Sequence, residues 1–126
     1  MARAVVRLER VDAVARITLD APPLNVLDRA ALVELSERLA EAGADPGAKV
    51  VLLTGTGRAF CAGVDVADHT ADRVEGMIEA FSGAIETLLG LELPVVAALN
   101  GAALGGGLEL ALASDIVLAG EGAKLG

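Results

Sequence analysis

Apolar residues recur along this chain with two periods, and their alternation predicts an α/β fold. Short runs with strand spacing cover Ala4 to Leu8 and Ala13 to Leu19. Leu32, Leu35 and Leu39 then recur at helical spacing, which predicts a helix from about Asp28 to Glu41. Asp28 is placed to cap its start, and Gly43 and Pro46 to end it. Lys49 to Thr54 reads as a buried strand. Val74, Ile78, Phe81, Ile85 and Leu88 form an apolar stripe, so a long helix is expected over Ala71 to Leu89. The run Pro94 to Leu99 reads as another buried strand, followed by a short helix from Gly106 and a last strand over Ile116 to Ala119. No linker, low-complexity tract or domain boundary interrupts this order, and the chain reads as one domain.

The two central strands begin 45 residues apart, at Val50 and Val95, and each runs into a glycine-containing loop. This weak internal repeat suits a superhelical stack of strand–helix units. The first loop is Gly55-Thr56-Gly57-Arg58-Ala59-Phe60-Cys61-Ala62-Gly63-Val64-Asp65. The second is Gly101-Ala102-Ala103-Leu104-Gly105-Gly106-Gly107-Leu108-Glu109-Leu110, which places a carboxylate in the first turn of the next helix. Glycine lets backbone N–H groups approach a ligand closely, and a helix start favours negative charge. Two such loops at the same end of neighbouring strands could each give one N–H to a single oxygen, with Glu109 beside it as acid or base. A purely structural reading stays open: Gly105 to Gly107 would permit close helix–strand packing, and Glu109 would answer the helix dipole on the surface.

Together the two segments resemble the crotonase superfamily, the enoyl-CoA hydratase/isomerase family. The matching text is Arg58 to Asp65 and Asn100 to Ile116, and Ile17-Thr18-Leu19 with Pro22-Pro23-Leu24-Asn25-Val26-Leu27 fits the family's opening strand and first substrate loop. The resemblance implies a ββα superhelix of repeated strand–strand–helix turns and an acyl-CoA thioester substrate, with no further cofactor and no metal. It implies an oxyanion hole made by the N–H groups of Val64 and Gly106, and it matches Glu109 to the glutamate that positions water in the hydratases. Coenzyme A is then expected along Leu24, Asn25, Val26, Ala62, Gly63, Val64, Asp65 and Val66, and at Gly105 and Gly106. The resemblance also implies self-association as a homotrimer or a dimer of trimers. Within the family, the phrases around Pro22 to Leu27 and Gly63 to His69 are similar to the cyclohexa-1,5-diene-1-carbonyl-CoA hydratases. Straight-chain 2-enoyl-CoA hydration, double-bond isomerisation and thioester hydrolysis remain open alternatives, as does a fragment without catalysis.

Composition narrows the partners. The chain of 126 residues is 54% hydrophobic but only 2% aromatic, so its core is expected to be aliphatic. No apolar run reaches the length of a membrane helix, and the N-terminus does not read as a secretory signal. The single cysteine excludes an internal disulfide framework and suits a reducing cytoplasm. A net charge of −8 argues against nucleic acid and is unhelpful for the phosphates of coenzyme A. Local cations and backbone N–H groups would have to hold those phosphates, with Arg58 and Arg29 as candidates.

The remaining signals point to structure more than to chemistry. Cys61 occupies a small-residue slot, and no Gly-x-Gly-x-x-Gly or P-loop stretch supports a nucleotide-dependent enzyme. His69 reads as a loop histidine beside the acyl pocket, and Asp65 and Asp68 as turn and helix caps. Ser114-Asp115 reads as a helix exit. The family is about twice this length, so the chain is expected to be its N-terminal portion, with a second catalytic glutamate lying beyond Gly126.

Overall fold

The computed structural model describes residues 4–65 and 70–126. The chain opens with a hairpin of β1 (Val6–Val11) and β2 (Val14–Leu19), in register Val6 opposite Leu19 and Val11 opposite Val14. Its turn is Asp12-Ala13, with Asp12 in the left-handed region at φ 53°. From β2 onward the main sheet is parallel and runs β1-β2-β4-β7-β9, where β4 is Val50–Gly55, β7 is Val95–Leu99 and β9 is Ile116–Ala119. Val51 stands opposite Val95, so the 45-residue repeat in the sequence brings two like strands side by side.

Each crossover contains a short strand and a helix. After β2 come β3 (Val26–Leu27) and α1 (Arg29–Ala44). After β4 come β5 (Ala59–Cys61), β6 (Gly63–Val64) and α2 (Ala71–Leu89). After β7 come β8 (Ala102–Ala103) and α3 (Gly106–Leu112). The short strands pair with each other and not with the main sheet, β3 with β6 and β5 with β8, both parallel. The residues 124–126 run beside β8: Ala103 N–H donates to Lys124 O at 2.8 Å and Gly126 N–H to Ala103 O at 3.2 Å.

The core lies between the main sheet and the helices. Ile17 and Leu19, Val51 and Leu53, and Val95 and Ala97 line the sheet's inner face and are fully buried or nearly so. Against them sits the stripe of α1, Leu32, Leu35 and Leu39, all buried as the periodicity predicts. Asp28 caps α1 by accepting from Ala31 N–H at 2.9 Å. Two expectations are corrected. Gly43 does not end α1; it lies inside the last turn, and Asp45 is the C-cap. Ile78 is exposed, because α2 turns Met77, Ala84 and Leu88 inward, where it packs against α1. The cap of α2 is Thr70, whose side chain accepts from Arg73 N–H. Among the described residues no helix is long and apolar enough to cross a membrane.

Candidate oxyanion site

Because β4 and β7 are parallel neighbours, their two glycine loops leave the sheet at the same end. The loops then come into contact. A Cβ added at Gly106 would stand 3.1 Å from Val64 Cγ1 and 3.2 Å from Phe81 Cε1. The start of α3 is thus seated on β6, with the ring of Phe81 from α2 beside it. Phe81 was taken in the sequence as an ordinary stripe residue; nothing in its spacing marks it as a neighbour of the glycine turn.

The backbone of both loops is largely committed. On the first, Ala62 N–H donates to Leu24 O at 3.0 Å and Asp65 N–H to Leu27 O at 2.9 Å. Leu27 stands opposite Val64, and in a parallel ladder such a residue bonds to the positions on either side of its partner. The N–H of Val64 therefore points away from β3, toward the side on which α3 lies. On the second loop, Gly105 N–H donates to Gly126 O at 2.7 Å and Gly107 N–H to Leu104 O at 2.9 Å. Gly106 lies between them as the first residue of α3, a position that has no acceptor within the helix. Val64 and Gly106, whose N–H groups the β3–β6 ladder and the helix do not use, are thus neighbours across the two loops.

Each glycine of the triple has its own reason. Gly105 is at φ 54°, ψ −122°, a conformation that side chains avoid. Gly107 is packed so tightly that a Cβ would meet Cys61 O at 2.0 Å. The packing reading and the ligand reading therefore apply to different residues, Gly107 to the first and Gly106 to the second. Glu109 is exposed and sits three residues after Gly106, on the same helical face one turn further on.

The expected coenzyme A residues divide. Leu24 and Val26 are exposed apolar side chains along the strand that pairs with β6, where a ligand could lie. Asn25 differs: its side chain is fully buried and its amide is spent inside the protein. Any ligand contact there is left to its backbone. Ala62 and Gly63 are half-buried in the loop, and Asp65 is exposed at its end. Val66, Asp68 and His69 lie outside the described residues. Of the two candidate cations, Arg58 is exposed in the turn before β5, and the Arg29 side chain lies across α2 at Gly76.

Cys61 is buried beneath the loop, its thiol within 3.4 Å of Gly63 O. Burial pushes its pKa up, against a smaller opposite effect of that backbone contact. A thiol so placed is a poor nucleophile. Two residues that sequence reasoning missed act on the frame. Asn100 closes β7 and bonds to the turn before β5. Asp115 fastens α3 to β7, accepting from Val95 N–H at 2.7 Å and donating its own N–H back to Val95 O at 2.9 Å. A polar side chain at the end of an apolar run is the signal that could have found Asn100.

A concavity of about 770 Å³ lies elsewhere, around β1 and β2, and touches neither glycine loop. Its charged side chains face one another: Glu9 pairs with Arg16 across the hairpin, and Arg38 with Glu41 at 3.0 Å. The Arg16 hydrogen bond holds the Glu9 carboxyl below its usual range. Among the described residues no group of three or more metal-ligating side chains converges.

Comparison with known proteins shows the family and the fold. Residues 9–126 match the family model "Enoyl-CoA hydratase/isomerase". A "Probable enoyl-CoA hydratase" of Rhodobacter capsulatus is 40% identical over 122 residues, which span 94% of this chain and 47% of that protein. The "Cyclohexa-1,5-dienecarbonyl-CoA hydratase" of Thauera aromatica is 34% identical over 119 residues, 94% of this chain and 46% of that one. Among solved structures, an enoyl-CoA hydratase/carnithine racemase from Magnetospirillum magneticum superposes with a TM-score of 0.92 at 32% identity, over 99% of this chain and 49% of the other. The fold is that of the crotonases, and the chain spans about half the length of the relatives it matches.

Proposed function

We propose that this chain, which belongs to the enoyl-CoA hydratase/isomerase family, carries the oxyanion-binding portion of a hydro-lyase that adds water across the double bond of an α,β-unsaturated acyl-CoA thioester. One observation supports the reading: the start of α3 at Gly106 is seated against Val64, so the two loops that would supply the donors are in contact. The thioester oxygen sits between the two N–H groups. Glu109 orients a water and takes a proton from it as the oxygen attacks the β-carbon, and electron density moves through the double bond onto the thioester oxygen. The resulting enolate is held by the two donors until its α-carbon takes a proton.

Coenzyme A runs over Leu24 and Val26 and along Ala62, Gly63 and Val64. With a net charge of −8, attraction for its phosphates is local, through backbone N–H groups and arginines such as Arg58. Self-association as a homotrimer or dimer of trimers, and a cytoplasmic location, belong to the same proposal. The likeness both to a probable enoyl-CoA hydratase and to a cyclohexa-1,5-dienecarbonyl-CoA hydratase supports either acyl group.

The test follows loss of the conjugated thioester absorbance in the intact protein. Crotonyl-CoA and cyclohexa-1,5-diene-1-carbonyl-CoA are compared side by side. Turnover is expected with one of them, and it chooses the acyl class. Gly106→Pro deletes one donor while proline remains acceptable at a first helical position. It is expected to lower kcat a hundredfold to a thousandfold, about 3 kcal/mol of transition-state stabilisation. Unchanged turnover in Gly106→Pro removes the oxyanion assignment, and full rate in Glu109→Gln removes Glu109 as the water-handling group.

A further inference from the structure

Three segments border the proposed site, and all three are tied to one carbonyl. Asn25, at the start of the β3 segment, donates from Nδ2 to Ala59 O at 2.9 Å and to Thr56 O at 3.0 Å. Asn100, between β7 and the glycine turn, donates from Nδ2 to the same Ala59 O at 3.0 Å and to Gly57 O at 3.0 Å. Both amides are also fixed at their other end. Asn25 Oδ1 accepts from Ala21 N–H at 2.8 Å, and Asn100 Oδ1 accepts from Gly55 N–H at 3.1 Å. Neither can flip without placing an oxygen against carbonyl oxygens.

The cradle has no slack. A Cβ at Gly55 would lie 2.8 Å from both Ala59 O and Asn25 Nδ2, and one at Gly101 would lie 1.9 Å from Arg58 O. Ala59 begins β5, which leads in three residues to the loop that carries Val64. Asn100 begins the segment that leads through β8 to Gly106. The Ala59 carbonyl is thus the common root of both donor-bearing loops, and two side-chain amides fill its two lone pairs.

We propose that Asn25 and Asn100 are positioning residues, which fix the separation of the Val64 and Gly106 N–H groups by clamping the Ala59 carbonyl between them. The inference rests on the oxyanion reading above. The two residues touch no substrate; they act through β5 and β8. A sub-ångström drift of either loop would loosen the two directional hydrogen bonds to the enolate more than the contacts to coenzyme A, which are spread over Leu24, Val26 and the loop. Loss of the clamp therefore falls on kcat and leaves KM almost unmoved.

The experiment uses the intact protein and three variants, Asn100→Ser, Asn100→Asp and Asn25→Ser. Crotonyl-CoA turnover gives kcat and KM. The carbonyl stretch of bound butyryl-CoA, a saturated thioester that cannot be hydrated, reports polarisation by the two donors. In the wild type that stretch is expected below its solution frequency. The variants are expected to lose ten- to a hundredfold in kcat with KM within about threefold, and their bound carbonyl to move back toward solution. Leu39→Val, a core change remote from the loops, is the control: it lowers the melting temperature and leaves both readouts in place.

Folded variants with wild-type kcat and carbonyl shift overturn the clamp alone. A wild type that binds the thioester without any carbonyl shift overturns the oxyanion reading, and the clamp with it. Asn100 is exposed as a residue, so Asn100→Ser leaves the hydrophobic core intact. Failure of even that variant to fold would assign the pair to stability only and overturn the proposal.

Discussion

The helix-covered face of the main sheet and the layer of short strands around the glycine turns are built by different means. The first is held by side chains: Leu32, Leu35 and Leu39 of α1 meet Ile17, Val51 and Leu53 in an aliphatic core. The second adds close backbone contacts to that packing. Its strands are two or three residues long and its helix α3 has seven residues; beside the buried side chains of Phe60 and Leu110, its contacts run through carbonyls, N–H groups and two asparagine amides. Side-chain packing tolerates exchange of one shape for another of similar volume. Backbone packing at 2.0 Å from a hypothetical methyl tolerates nothing larger than hydrogen. A fold can therefore have one half that drifts in sequence and another that is fixed atom by atom.

Breaking the contrast should reveal its size. The largest effect is expected from Gly107→Ala, whose Cβ would meet Cys61 O at 2.0 Å. Denaturant titration of the intact protein should show a loss on the order of 3 kcal/mol or more, above the usual cost of overpacking because the clash is with backbone. In the core, Leu35→Ala should cost about 2–5 kcal/mol, but Leu35→Met less than about 1.5 kcal/mol. If Leu35→Met is as harmful as Gly107→Ala, the two regions do not differ in tolerance. A cap is worth less: Asp28→Ala removes the acceptor for Ala31 N–H and should cost about 1 kcal/mol by the same titration.

The smallest effect is a pH dependence. Burial raises the Cys61 thiol, so its contribution to stability is complete below the ordinary thiol value of about 8.5. Above that value the unfolded chain loses the proton while the folded chain keeps it. Stability then falls as pH rises toward the folded value. Melting curves between neutral pH and pH 10 should slope downward more in the wild type than in Cys61→Ala.

How much of this was legible follows from the same contrast. The long elements announced themselves because a buried face imposes a period on eleven or more residues. Leu32, Leu35 and Leu39 and the capping Asp28 appear where the spacing puts them. On α2 the stripe differs from the buried face at one position, Ile78 for Met77, because adjacent apolar residues such as Met77 and Ile78 fit the same spacing and only contact with α1 chooses between them. Strands of two residues impose no period at all, so β3, β6 and β8 could not be read. The glycine loops could be read as a ligand site from their chemistry, but the particular donors, Val64 and Gly106, came only from the family resemblance. Asn25 was placed in that loop as a ligand contact, whereas its burial makes it part of the frame. Sequence order cannot tell a residue that faces a cleft from one that turns its back on it.

One edge of the sheet has a consequence of a colloidal kind. Strand β9 is bordered by β7 on one side only, and Ile116 and Leu118 are 51% and 58% exposed. Two copies of this chain that met along that edge could share a ladder at the ordinary strand spacing of about 4.8 Å. Each copy carries a charge of −8, so the copies repel before they touch. That repulsion reaches about 30 Å at 0.01 M salt but only about 10 Å at 0.1 M. Wherever β9 is left uncovered, the lifetime of the chain in solution should depend on ionic strength more steeply than on temperature, with salt removing the barrier that its charge supplies.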